Sequence, residues 1–89
     1  MKAIVTVVGK DAVGIIAGVC VELAKHNINV LDISQTVMQG YFTMMMVVDV
    51  SKSNAPITDL AQKLEEKGKE MNLSIRLQRE DIFEAMHRV

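Results

Sequence analysis

The sequence predicts an α+β fold in which four β-strands and two α-helices follow one another in the order β-α-β-β-α-β. Three observations support this prediction. Apolar residues recur at every second position in some segments and at every third or fourth position in two others. Turn-forming residues such as glycine, asparagine and proline separate these segments. The chain has 89 residues, which is the length of one domain over residues 1–89.

The first half of the chain begins with a strand and a helix. Ala3–Val8 is rich in β-branched residues and ends at a glycine, which predicts a buried strand. Gly9–Gly14 is a turn with two glycines. Ile15–His26 then carries apolar residues at helical spacing, and Asn27 is a plausible stop because asparagine tolerates the left-handed conformation.

A β-hairpin is predicted next. Ile28–Met38 alternates apolar and polar residues, and Gln39-Gly40 forms a tight turn to the following strand. Tyr41–Val50 is partly apolar at both odd and even positions. A strand that is apolar on both faces is expected in the centre of a sheet.

The second half of the chain repeats the helix and strand pattern. Ser51–Pro56 is a polar linker, and an amphipathic helix runs from Ile57 toward Met71. Gly68 lies inside this helix, where glycine costs about 1 kcal/mol relative to alanine, so the helix is expected to end or loosen there. Leu73, Ile75 and Leu77 alternate with Ser74, Arg76 and Gln78 as a fourth strand, and Ile82, Phe83 and Met86 indicate a short C-terminal helix.

These elements assemble into a ferredoxin-like βαββαβ sandwich. Right-handed crossovers place both main helices on one face of a four-stranded antiparallel sheet. The opposite face of the sheet is then left bare, with apolar surface from Met45, Val47 and either Ile4 or Val5. We expect this bare face to be a subunit interface, and the alternative is a surface of merely mixed polarity.

Composition excludes several classes of partner. The net charge of -1, the pI of about 6.1 and the 3% aromatic content argue against nucleic-acid binding.

The apolar run after Lys2 is too short for a signal peptide or a membrane span, so a cytoplasmic location is expected. Cys20 is the single cysteine and lies in the apolar stripe of the first helix, which favours a buried structural thiol over a nucleophile.

No constellation of residues indicates catalysis or metal binding. Gly9–Gly14 lacks the Lys-Ser or Lys-Thr of a phosphate-binding loop. The paired carboxylates Glu65-Glu66 and Glu80-Asp81 are adjacent and do not face each other on a helix. His26 and His87 are far apart and suit helix C-termini. We therefore expect no catalytic residue, no metal and no cofactor, and we expect that the protein is not an enzyme.

The segment Gly9–Ile16, which reads GKDAVGII, resembles the Gly-x-Asp-x-x-Gly-Ile turn that opens ACT domains. The resemblance continues through Val19 and Asn27–Val30. The segments Asp32–Thr36 and Tyr41–Met44 and the tail Ile82–Met86 are similar to stand-alone ACT-domain proteins of bacteria and archaea. The chain is also similar to one ACT module of the glycine cleavage system transcriptional repressor. Together the matches cover essentially the whole chain.

The resemblance implies a regulatory domain that binds an amino acid or a similar carboxylate metabolite where two subunits meet. It assigns the ligand to Asp11, Ala12, Val13, Gly14, Ile15 and Asn29. Physically, N–H groups at a helix N-terminus favour an anion by about 0.3–1 kcal/mol, and side-chain oxygens can accept hydrogen bonds from an ammonium group. The alternative is that Asp11 only caps the helix and Asn29 only ends a loop.

Two functions follow from these residues. The first is a homodimeric sensor of amino acids or related carboxylates. The second is a ligand-free interaction module that docks on a metabolic enzyme or a transcriptional regulator. Binding of an amino acid to the purified protein distinguishes them.

Overall fold

A computed structural model of the protein describes residues 1–10 and 14–82. The predicted order of strands and helices is confirmed, and each element spans residues close to those expected. The elements are β1 (Lys2–Lys10), α1 (Ile15–Lys25), β2 (Asn29–Met38), β3 (Tyr41–Asp49), α2 (Ile57–Glu70) and β4 (Leu73–Arg79).

The four strands form one antiparallel sheet in the order β2-β3-β1-β4. The prediction that β3 is central is therefore confirmed, and β2 and β4 are the two edges. In the centre of the sheet Val5 lies opposite Met46 on one side and Leu77 on the other. The pairing of β2 with β3 shifts by one residue between Val30 and Asp32, which is a β-bulge.

The core lies between the sheet and the two helices. Helix α1 buries Ile15, Val19 and Leu23, whose spacing of four residues keeps them on one face. Helix α2 buries Leu60 and Leu64 in the same cluster. Burial of each such side chain contributes about 1.5–3 kcal/mol. The sheet contributes Ala3, Val5, Val7, Phe42, Met44, Met46, Val48, Leu73, Ile75 and Leu77.

The face of the sheet opposite to the helices is here called the open face. Residues paired across the strands share a face, so the register assigns Ile4, Val8, Met45 and Val47 to it. Val5 belongs instead to the helix side, where it is fully buried. The sequence had left open which of Ile4 and Val5 faces away from the helices, and the register decides for Ile4.

The sequence predicted that helix α2 ends or loosens at Gly68, and this prediction is wrong. It continues to Glu70, and Gly68 is buried against β4. A Cβ atom at this position would lie 2.8 Å from the carbonyl oxygen of Leu73 and 3.0 Å from Cγ1 of Ile75. The glycine is therefore a packing requirement, because only a residue without a side chain lets the helix approach the strand so closely.

The turns adopt the conformations that their residues favour. Asn27 has a φ of 58° and follows His26, the C-cap of α1, which confirms it as the helix stop. Gln39 and Gly40 both have positive φ, as a two-residue hairpin of type I′ requires. Residues 80–82 begin a helical turn, and Phe83 and Met86 of the expected C-terminal helix lie outside the described residues. Within the described ranges no helix is long and apolar enough to cross a membrane.

Candidate functional site

The first part of the predicted site is the turn that leads from β1 into α1. Gly14 is the last residue before the helix, with φ 88° and ψ 1°, which is the left-handed conformation. A Cβ atom placed on Gly14 would meet nothing within 4 Å, so the space beside its backbone is open. Ile15 is buried in the core and holds the start of the helix against the sheet. Asp11, Ala12 and Val13 lie outside the described residues.

The start of α1 presents N–H groups that have no acceptor within the helix, because the first turn of any α-helix leaves them free. The backbone hydrogen bonds begin with the Gly18 N–H, which donates to the Gly14 carbonyl at 2.9 Å. The first turn of α1 contains no acidic side chain that would neutralise the positive end of the helix dipole. The geometry at Gly14 and Ile15 therefore suits an anion.

Asn29 lies at the other end of the molecule. It is the first residue of β2 and pairs with Asp49, which in turn pairs with Lys2 at the start of β1. Lys10 is the last residue of β1, and Gly14 comes shortly after it in the chain, at the opposite end of the sheet from Lys2. The length of β1, roughly 27 Å for its 9 residues, separates the two positions along the sheet. One copy of the chain therefore cannot bring Asn29 and the turn into one pocket, because α1 carries the chain back to the start of the sheet.

The surroundings of Asn29 form a depression of about 390 Å³ at the C-terminal end of α1. Hydrogen bonds from the side chain and the backbone N–H of Ser51 lower the pKa of Asp49 from 3.8 to about 2, and the N-terminal ammonium group assists. A carboxylate ionised at neutral pH therefore lies beside Asn29. The depression is lined by Ala24, Asn27, Ile28, Asn29, Asp49 and Lys52.

Sequence reasoning did not find Asp49, Asn27 or Lys52 at this corner. The tight hairpin turn gives a register in which Met38 lies opposite Tyr41, and continuing that count would place Val30 opposite Asp49. The bulge shifts the register by one residue and brings Asn29 to Asp49 instead. The only available signal was the presence of polar residues at both strand ends.

The end of α1 is tied to the loop that follows β3. The Asn27 side-chain amide donates to the Lys52 carbonyl at 2.7 Å, and the Asn54 amide donates to the Lys25 carbonyl at 3.1 Å. His26 lies 3.7 Å from Glu22 on the same helix, and both side chains are largely shielded from solvent. These contacts are consistent with a structural role for His26 at the C-terminus of α1, as the sequence predicted.

The sequence predicted a buried thiol at Cys20, but this free cysteine is only partly buried, because the core stripe of α1 runs through Val19 and Leu23. In the described ranges no group of three or more His, Cys, Asp or Glu side chains could hold a metal ion. A larger depression of about 520 Å³ lies between α2 and β4, and it is lined by none of the predicted site residues.

Comparisons with known proteins agree with the fold. The sequence profile of the ACT domain matches residues 2–78. A UPF0237 protein of Clostridium acetobutylicum is 56% identical over 89 residues, which is 100% of both chains. A UPF0237 protein of Bifidobacterium longum is 53% identical over 88 residues, covering 99% of this chain and 98% of the relative.

Solved structures give the same result. An ACT domain protein from Streptococcus pneumoniae superposes with a TM-score of 0.83 at 49% identity and covers 98% of both chains. A structure assigned to a glycine cleavage system transcriptional repressor has a TM-score of 0.72 at 24% identity. The superposition covers 86% of this chain and 44% of the repressor chain. At 24% identity, the likeness shows the fold alone. The profile match and the full-length relatives establish that the chain belongs to the ACT-domain family.

Proposed function

We propose that the protein is a regulatory ACT-domain protein, not an enzyme, that binds an amino acid or a similar small carboxylate between two copies of the chain. The observation that carries this proposal is the separation of the two halves of the site. The turn at Gly14 and the side chain of Asn29 lie at opposite ends of one sheet, so both can contact one ligand only in an assembly of two copies. We expect the protein to act in the cytoplasm.

The edge strand β2 supplies a way to join two copies. All residues of β2 except Val30 are exposed, and among them Leu31, Ile33 and Val37 are apolar. An edge strand with free backbone groups and exposed apolar side chains is a template for pairing with another strand. A second copy of β2 provides such a strand, and Asp32 is the only charged residue in its sequence.

Antiparallel pairing of two β2 strands about a two-fold axis would unite the site. In such a pair, the beginning of one strand lies beside the end of the other. Asn29 of the second copy then lies beside Met38, at the end of the sheet that also carries Lys10 and Gly14. The same operation forms an equivalent site on the other side of the axis.

The chemistry of the two halves matches a zwitterion. In this proposal the N–H groups of Ala12–Ile15 receive the carboxylate of the ligand, and Gly14 lets it approach the backbone. Asp11 and Asn29 of the second copy would accept hydrogen bonds from the ammonium group. Asp49, ionised next to Asn29, adds negative charge on the same side.

The experiment is a thermal-shift screen against the common amino acids, followed by calorimetric titration with each compound that raises Tm. A ligand at 100 times its Kd stabilises the folded protein by about 2.7 kcal/mol. Asn29→Ala should weaken binding by about 1.5–3 kcal/mol, because it removes a hydrogen bond to a charged group. Gln62→Ala, an exposed amide on α2, is the matched control and should bind as the wild type does.

Asn29 is a cleaner probe than Gly14. The positive φ of Gly14 strains any residue with a side chain, so Gly14→Val would disturb the turn as well as block a ligand. Equal affinities for the wild type and Asn29→Ala would remove Asn29 from the site. A complete absence of ligands would favour the second function.

The second function is a ligand-free module that docks on a metabolic enzyme or a transcriptional regulator. The surface of α1 supports it, since Ile16 and Val21 are exposed on a helix whose outer side carries few charges before Glu22. Helix α2 differs, with Lys63, Glu65 and Glu66 on its outside. An apolar outer face suits contact with a protein partner.

A further inference from the structure

Strand β4 is a regular edge of the sheet. Its pairing with β1 runs without a break from Leu73 to Arg79, whereas the other edge strand, β2, is interrupted by a bulge. Apart from this ladder, residues 74–77 form no hydrogen bond to the backbone of another described part of the chain. The strand contains neither proline nor lysine, two residues that hinder further pairing at natural sheet edges. An edge of this kind is a template for one more strand.

The depression of about 520 Å³ between α2 and β4 follows this edge. Helix α2 forms one wall of the depression with Ala61, Glu65 and Lys69, which lie next to the buried stripe that contains Leu64 and Gly68. Strand β4 forms the floor. The close approach of α2 to β4 at Gly68 holds the helix along the strand. A strand added to β4 would therefore lie in a groove, with a helix over one of its faces.

The wall and the floor of the groove match in spacing. Helix α2 and β4 are joined by the short turn of residues 71–72, so they run in opposite directions. Four residues of a helix rise about 6 Å, and two residues of a strand rise about 6.6 Å. From the turn onward, the pairs along the groove are Lys69 by Leu73, Glu65 by Ile75 and Ala61 by Leu77.

Three charges border the groove. Glu65, Lys69 and Arg76 are exposed, and among the described residues none of them forms an ion pair. Glu65 and Lys69 lie on the helix side, whereas Arg76 alternates with the buried Ile75 and Leu77 and therefore belongs to the open face. With two cations and one acid, the groove favours an acidic partner.

We propose that β4 receives an extended acidic segment of a different protein as a fifth, antiparallel strand. The residue of this segment opposite Leu73 is acidic and pairs with Lys69. The residue opposite Arg76 is also acidic and lies on the open face. The residue opposite Ile75 is basic, because Glu65 lies above it. Backbone hydrogen bonds to β4 provide the affinity, and the charges select the segment.

Two uncharged positions complete the pattern. The residue opposite Leu77 lies beside Ala61 and is apolar. The residue opposite Ser74 is polar, because Ser74 is exposed on the open face. Read from its N-terminus, the segment is apolar, acidic, basic, polar and acidic. The order of the charges, and not the net charge alone, distinguishes it from other acidic segments.

The strands of this chain do not have that pattern. In a symmetric antiparallel pair of two β4 strands, the two Arg76 side chains would lie opposite or diagonal to each other on the open face, which opposes pairing. Strand β2 has Asp32 as its single charge and therefore offers no base to Glu65. The occupant that fits the groove is a segment of another protein.

The groove is separate from the proposed ligand site and from the outer surface of α1. Neither Gly14 nor Asn29 lines it, and its helix wall belongs to α2. Binding of the segment therefore does not rest on the proposed function, and each can fail without the other.

The test is the fluorescence anisotropy of a labelled peptide, Thr-Val-Glu-Lys-Thr-Glu-Thr, titrated with the full chain. The first Glu of the peptide lies opposite Arg76. Arg76→Glu should weaken binding about tenfold, because it replaces attraction between opposite charges by repulsion between like charges. A second peptide with Lys in place of that Glu should bind Arg76→Glu more tightly than the wild type, which also shows that the variant is folded. Lys63→Glu makes the same change of charge outside the groove and should bind the first peptide as the wild type does.

Strand addition has a signature that attraction between charges lacks. Successive residues of an antiparallel strand point their N–H groups alternately toward the neighbouring strand and away from it. Two further peptides are N-methylated, one at the Glu opposite Arg76 and the other at the Lys that follows it. One of them should bind about tenfold more weakly, and the other should keep most of its affinity. Equal affinities of the two methylated peptides, wild-type affinity of Arg76→Glu for the first peptide, or no binding of the first peptide at ~1 mM protein would each overturn the proposal.

Discussion

The side-chain amide of Asn54 donates a hydrogen bond of 3.1 Å to the carbonyl oxygen of Lys25, in the last turn of α1. The backbone N–H of Asn54 also donates to the carbonyl oxygen of His26 at 3.3 Å. The last carbonyl groups of a helix find no N–H donor within the helix and need donors from elsewhere. The loop between β3 and α2 supplies these donors, and it thereby holds the end of α1 next to Asn29.

Asn54→Ala removes the bond to Lys25 and a 3.4 Å contact between its Oδ1 atom and Nδ1 of His26, and should lower the free energy of unfolding by about 1–2 kcal/mol. The backbone bond remains, so the loss should be moderate. Urea unfolding of the variant and the wild type measures it. Ser53 is the neighbouring donor, and its hydroxyl bonds within the loop to Ala55; Ser53→Ala therefore serves as a control that leaves α1 in place. An unchanged midpoint for Asn54→Ala would show that the side chain does not hold the helix.

Gly68→Ala should destabilise the protein, although alanine is normally better than glycine in a helix by about 1 kcal/mol. The new Cβ atom would lie 2.8 Å from a backbone oxygen of Leu73, and backbone cannot move away cheaply. A loss of about 1–3 kcal/mol is expected. Gly18→Ala is the matched control, because its Cβ atom would meet only the flexible end of Met71. Equal effects of the two substitutions on thermal unfolding would contradict this account.

Asp49 should make stability depend on pH in the acid range. Its pKa is about 2 in the folded protein, below the ordinary value of 3.8, because Ser51 donates hydrogen bonds to the carboxylate. A lowered pKa contributes stability that is fully present above about pH 4 and is lost as the pH falls through about 2. Unfolding midpoints measured from pH 6 to pH 2 should fall more steeply for the wild type than for Asp49→Asn. Parallel curves would exclude a contribution from this carboxylate.

Val19 and Cys20 are adjacent in α1 but differ in burial. Val19 is fully buried, whereas Cys20 is only partly so. Val19→Ala should cost about 2 kcal/mol through the cavity that it leaves, and Cys20→Ala should cost about 1 kcal/mol or less. Denaturant unfolding compares them. Slow reaction of the native protein with a thiol reagent is expected, and reaction as fast as in the unfolded chain would show that Cys20 is fully exposed.

The sequence by itself determined the order and type of the elements. Alternation and helical spacing are local properties, and in this chain they agree with the turn residues at Asn27 and Gln39-Gly40. The two apolar sides of Tyr41–Val50 also predicted its central place in the sheet. These patterns are sufficient because the spacing of apolar residues follows the local repeat of a strand or a helix, whatever its neighbours are.

Tertiary structure decided which positions meet. The bulge in β2 changes the partner of Asp49 from Val30 to Asn29, and no local pattern reveals a shift of one residue. The close contact of Gly68 with β4 depends on two elements that meet only in space, so a propensity that favours helix endings gave the wrong expectation there. The separation of Asn29 from Gly14 follows from the path of α1 across the sheet. The sequence shows which functional groups the motif residues have, but the distance between these groups is set only when the strands pair.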